Sequence, residues 1–150
     1  MIISKIPNIK KIKSYFIKFG LKILVDNFNS NEREKTDKRF FKKTYGPNIY
    51  DLYRLHKLII ENKRTRVLEY GTGWSTLVIT HALQINKKRY DQKPFPRIKK
   101  PFSLTVLDNS KKYLKISKKR IEKFFKEKNI VEFNFSNNKI CLFNGRIASQ

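Results

Sequence analysis

The residues whose types and spacing suit chemistry fall in one stretch, Val67-Leu68-Glu69-Tyr70-Gly71-Thr72-Gly73-Trp74-Ser75-Thr76. Two glycines one residue apart, between an apolar run and a helix start, let a ligand approach the backbone where side chains would clash. Free amides and the positive end of the following helix are expected to face that ligand. A second acid, Asp108, closes a later apolar run and is followed by Asn109 and Ser110. A Gly-x-Gly alone is weak evidence, and its weight here comes from placement. The remaining candidates are sparse. Cys141 is the single cysteine, which excludes an internal disulfide and a Cys-based zinc cluster and fits a reducing compartment, the cytoplasm. His56 and His81 have no second histidine at metal-ligand spacing, so they read as core or surface histidines and no metal site is expected.

The elements that must position these residues follow from periodicity. After Pro7, Ile9, Ile12, Phe16, Phe19 and Ile23 recur at steps of three and four, one face of a single basic amphipathic helix within residues 1-28. Residues 27-43 read as a polar linker, which puts a boundary near residue 44: a helix and linker over 1-44, then a domain over 45-150. Pro47 suits a helix start, and Leu52, Leu55, His56, Ile59 and Ile60 continue it. Residues 64-70 form a buried strand. Ser75 or Thr76 caps a helix from Leu77 to Gln84. Residues 86-101, with Pro94, Pro96 and Pro101, are an insertion loop. A strand over 102-107, a helix over 111-128 and a strand over 130-135 follow, with a further short strand over 140-143. This alternation implies an α/β fold, a Rossmann-like parallel sheet with flanking helices.

Three nucleotide-type ligands compete for the glycine loop. A triphosphate loop needs a lysine after the glycines, and none is present. A dinucleotide site wants a third small residue where Thr76 stands, and Glu69 would set a negative charge beside the pyrophosphate. S-adenosyl-L-methionine, with no phosphate, a cationic amino group and a sulfonium, suits Glu69 better. The run Val67-Leu68-Glu69-x-Gly71-x-Gly73-x-Ser75-Thr76 resembles the first motif of class I S-adenosylmethionine-dependent methyltransferases, in the Glu-x-Gly-x-Gly-x-Ser-Thr branch that includes small-molecule and sugar O-methyltransferases. The resemblance implies S-adenosyl-L-methionine as cofactor. It assigns Glu69 to the methionine end, the backbone at Gly71 and Gly73 to the methionine and sulfonium, and Asp108 to the ribose hydroxyls. Tyr70, Trp74, Ser75 and Asn109 complete the implied cofactor site. No catalytic residue is assigned, and whether the chain acts as an enzyme is left open. Cys141 follows Ile140 rather than the proline of base C5-methyltransferases, and reads as a buried strand cysteine.

Two departures accompany the resemblance. Gly71 and Asp108 lie 37 positions apart, against about 20 in related folds, with the 86-101 insertion taking up the excess. The residues after Gly71 hold only the first three strands of the family's seven-stranded core, since each strand-helix-strand unit takes roughly 30 residues. The expectation is an N-terminal, cofactor-binding part, inactive alone, with a complementing fragment or a second copy as partners.

Charge supplies the alternatives. The chain of 150 residues carries 35 Lys+Arg against 12 Asp+Glu, a net charge of +23. That favours a phosphate-rich partner, although a solvated lysine surface explains it as well. Three partners follow: a small-molecule acceptor for the complete enzyme, RNA docked on the Lys111 to Arg120 run, or an anionic membrane surface bound through residues 1-28. With 39% hydrophobic and 13% aromatic residues, a disordered polycation is excluded.

Overall fold

The computed structural model describes residues 7–28, 46–90, 100–125 and 129–136, and the backbone of Ile140–Phe143 and Arg146–Ser149. All but Asn27 and Phe28 of the linker expected over 27–43, most of the proline-containing loop, the end of the helix expected to reach Lys128, and the Cys141 side chain lie outside the described residues.

The basic N-terminal segment forms two helices rather than one. Helix α1 (Ile9–Lys18) is capped by the Asn8 side chain, which accepts the Lys11 amide at 3.0 Å. It ends because Gly20 takes φ +73°, a left-handed conformation that suits glycine. The Leu21 amide then donates to Phe16 at 2.8 Å and the Gly20 amide to Ile17 at 3.0 Å, the paired bonds of a Schellman cap. Phe16 and Leu21, which such a cap brings together, are both buried. Helix α2 (Lys22–Asp26) follows, and Leu24 rather than Ile23 is buried in the core. Ile12, Phe16, Leu21 and Leu24 join Ile49, Leu52, Leu77, Val78, Ile121 and Phe125 in one cluster. The apolar face that a membrane would have taken is therefore packed on the chain's own helices.

Helix α3 (Ile49–Glu61) buries Ile49, Leu52, His56 and Ile59. Strand β1 (Arg66–Tyr70) leads into α4 (Trp74–Tyr90), which is longer than expected at both ends. Its final turns take residues 86–90 from the expected insertion loop. They are held by the buried Asn86, whose amide donates to the carbonyls of Ile59 at 3.0 Å and Arg64 at 2.9 Å. Strand β2 (Ser103–Asp108), helix α5 (Lys111–Phe124) and strand β3 (Val131–Phe135) complete the alternation.

The three strands form a parallel sheet in the order β1-β2-β3, with Glu69 beside Val106 and Tyr70 beside Leu107. Val67, Leu104, Val106, Val131 and Phe133 pack with Ile59, Ile79, Ala82 and Leu83. Leu68 and Tyr70 alternate to the other face and are 56% and 66% exposed, so β1 is not the fully buried strand its composition suggested. Strand β4 (Ile140–Phe143) was expected; its antiparallel partner β5 (Arg146–Ser149) was not. Among the described residues, no helix is long and apolar enough to cross a membrane.

Candidate functional site

Parallel pairing fixes where the two acids meet. Residues at the C-terminal ends of β1 and β2 stand side by side, which places Asp108 level with the first loop residue, Gly71. The Gly71 amide donates to the Leu107 carbonyl at 2.8 Å, so the register continues one residue past β1. Gly71 then takes φ +80°, and the chain turns into α4.

Both carboxylates hold this turn. Asp108 Oδ2 accepts the Thr72 amide at 2.8 Å, and Oδ1 accepts the Ser110 amide at 2.7 Å. Glu69 accepts the hydroxyl of Ser75 on one oxygen and that of Thr76, at 2.8 Å, on the other. Thr76, fully buried, is the hub of the loop. Its only proton goes to Glu69, so its remaining bonds are accepted ones: the Gly73 amide at 3.1 Å and the Thr72 hydroxyl at 3.1 Å. Burial pushes the Glu69 carboxyl up from its ordinary value; the Ser75 and Thr76 hydroxyls oppose this, and the Asp108 charge adds to it.

This network corrects one expectation. The amides of Gly71, Thr72 and Gly73 are not free for a ligand, since each donates within the protein. The loop is thus no phosphate cradle, and its charge is set by two acids. Each of the four carboxylate oxygens accepts one bond, three from the turn into α4 and its first residues and one from Ser110 before α5, and has capacity for another. A Cβ built on Gly71 would meet nothing within 4 Å, and one on Gly73 only Ser75 Oγ at 3.9 Å, so the space in front of the turn is open.

The other residues assigned from sequence separate. Ser75 supports Glu69, and Asn109 is exposed beyond Asp108. Tyr70 lies on the sheet face opposite Glu69, away from the loop network. Trp74 turns toward α5, where the Arg120 guanidinium stacks over its ring at 3.8 Å and donates to the Gly73 carbonyl at 3.1 Å. Arg120 ends a run of lysines in the sequence but differs from them in the fold. Lys111, Lys112, Lys115, Lys118 and Lys119 are exposed, whereas Arg120 is only partly so. The available signal was its spacing: Tyr113, Ile116, Ser117 and Arg120 fall on one helical face. Among the described residues, no three His, Cys, Asp or Glu side chains cluster to hold a metal ion.

Comparison with family models, curated proteins and solved structures finds no match for this chain.

Proposed function

We propose that the loop between β1 and α4 binds S-adenosyl-L-methionine and that the chain is the cofactor-binding part of a methyltransferase acting on a small-molecule or sugar hydroxyl. One observation carries this reading. The loop spends its amides internally and presents two carboxylates at the ends of adjacent parallel strands, a donor-poor, acid-rich site that disfavours phosphate and favours amino and hydroxyl groups. Glu69 holds the amino group of the methionine end, and Asp108 takes the ribose hydroxyls on the lone pairs that Thr72 and Ser110 leave. The open space at Gly71 and Gly73 admits the ligand to the backbone. When bound, the cofactor supplies an electrophilic methyl group; the protein's part is to position it and exclude water.

Calorimetric titration with S-adenosyl-L-methionine and S-adenosylhomocysteine tests the reading. Each charge-assisted bond contributes about 1.5–3 kcal/mol, so Glu69→Gln and Asp108→Asn should each weaken binding by about tenfold to a hundredfold. Absence of heat from folded wild-type protein, or variants that bind as wild type does, overturns it. A nicotinamide dinucleotide should not compete.

A further inference from the structure

A second concavity lies beside the loop. It is lined by Thr72, Gly73 and Trp74 on one side and by Tyr113, Ile116, Ser117 and Arg120 of α5 on the other, and neither Glu69 nor Asp108 reaches it. Its volume is about 260 Å³, just below the roughly 300–1,000 Å³ of sites for drug-sized ligands. That space suits one ring with a small substituent.

The wall is mainly apolar and aromatic, with one cation. Arg120 is held by two contacts: its guanidinium stacks on Trp74, and one N–H bonds the Gly73 carbonyl. Among the described residues no carboxylate pairs with it, and the ion pairs that do form, such as Arg54 with Asp51, lie on α3. Burial alone lowers its pKa from the usual arginine value, as expected of a cation withdrawn from water without a counter-charge. Stacking on the indole fixes the guanidinium plane, and the N–H groups not used by Gly73 form a preset fork for a planar anion. Tyr113 and Ser117 add hydroxyls to the same wall.

We propose that this cleft is a binding site for a single-ring aromatic or heteroaromatic carboxylate, with the ring among Trp74, Tyr113 and Ile116 and the carboxylate on Arg120. The proposal does not require S-adenosyl-L-methionine to bind, although Gly73 and Trp74 border both sites. Since the same guanidinium bonds Gly73, an occupant and the glycine loop share Arg120.

Trp74 is the only tryptophan in the sequence, so its fluorescence reports on the cleft directly. Benzoate should change the emission saturably. Benzamide, which keeps the ring without the charge, and acetate, which keeps the charge without the ring, should each bind at least tenfold more weakly. Arg120→Gln should weaken benzoate at least tenfold. Ile116→Phe, which fills the cleft at a partly exposed position, should weaken it similarly, while Lys119→Gln on the exposed face of α5 should not. A non-saturable benzoate response, equal binding of benzamide, or equal losses in Lys119→Gln and Arg120→Gln would each overturn the site. The wild-type comparison of benzoate with benzamide decides the question even where Arg120→Gln does not fold.

Discussion

His56 Nε2 and His81 Nδ1 lie 2.9 Å apart in stacked rings, and the Tyr15 hydroxyl is 2.6 Å from His56 Nδ1. The three side chains come from α1, α3 and α4, so this chain of hydrogen bonds fastens the N-terminal helix to the domain. With the Tyr15 hydroxyl donating to His56 Nδ1 and His56 Nε2–H donating to His81 Nδ1, both rings are neutral, the state that burial favours. Burial pushes His56 down to about 3, helped by His81, and pushes His81 down to about 4, helped by the Lys88 charge. Burial likewise raises the Tyr15 phenol, with Tyr53 and Glu61 adding to the rise and Arg89 opposing it.

Acid should therefore unfold this protein early. An unfolded histidine takes up a proton near pH 6.5, whereas the native rings do so only near pH 4 and 3, so the unfolded state binds more protons in between. The stability is fully present above about pH 7 and is lost as pH falls, by about 2 kcal/mol per histidine at pH 5. Glu69, whose value is raised, works in the opposite direction. The check is the difference in urea midpoint between wild type and His81→Gln across pH 7 to 5. The variant should lose markedly less stability over that range; parallel pH profiles would contradict the account.

The caps of α1 and α3 yield a second prediction. Lys63 repeats the role of Gly20: its φ is +51°, the Arg64 amide donates to Ile59 at 2.9 Å, and the Lys63 amide donates to Ile60 at 3.1 Å. A lysine in this left-handed position costs roughly 1–2 kcal/mol. Its ammonium lies 5.7 Å from the Tyr90 ring, which returns only about 0.5 kcal/mol at an exposed site. Lys63→Gly should thus raise stability by about 1 kcal/mol, whereas Gly20→Lys should lower it by a similar amount or more. Thermal denaturation of the pair provides the measurement.

Gly71 and Gly73 should respond differently to alanine. At Gly71 the obstacle is the backbone, since φ is +80° while the space for a Cβ is open, so Gly71→Ala should cost about 1–2 kcal/mol. At Gly73 the conformation is ordinary and the nearest neighbour is 3.9 Å away, so Gly73→Ala should leave stability within about 0.5 kcal/mol. Equal losses by chemical denaturation would show that the turn is held otherwise.

Periodicity located the elements better than it resolved their contacts. Parallel strands, the helix after Gly73 and the placing of Glu69 and Asp108 near the C-terminal ends of neighbouring strands were legible because local patterns generate them. The break at Gly20, a glycine followed by an apolar residue, was not legible, because the regular spacing from Ile9 to Ile23 concealed it. The exposed face of β1 was not legible: Val67-Leu68-Glu69-Tyr70 has the composition of a strand covered on both sides, and only the packing shows which side is covered. The His56–His81 pair and the Trp74–Arg120 stack join positions 25 and 46 residues apart, beyond the reach of any spacing rule. The occupied loop amides were not legible, because Thr76 reads equally well as a helix cap and as a hub.

That hub gives the sharpest test of the loop. Replacing Thr76 with valine preserves shape but removes the hydroxyl that donates to Glu69 and accepts from Gly73 and Thr72. Three partly buried polar groups then lose a partner, at a cost of about 2–4 kcal/mol on the scale of 1–3 kcal/mol for each buried group left unsatisfied, moderated by water reaching the loop. Thr76→Ser keeps the hydroxyl and should cost about 1 kcal/mol. The pH dependence distinguishes the bond to Glu69 from the other two. The Thr76 hydroxyl is one of two groups holding the Glu69 carboxyl down against burial, so without it that carboxyl moves further up. A group whose native value is raised adds stability at low pH that is lost as pH rises. The deficit of Thr76→Val relative to wild type should therefore shrink as pH falls, as Glu69 takes a proton and needs its hydroxyl donors less. A deficit that does not change as pH falls would mean that the Thr76 hydroxyl acts through Gly73 and Thr72 rather than through Glu69.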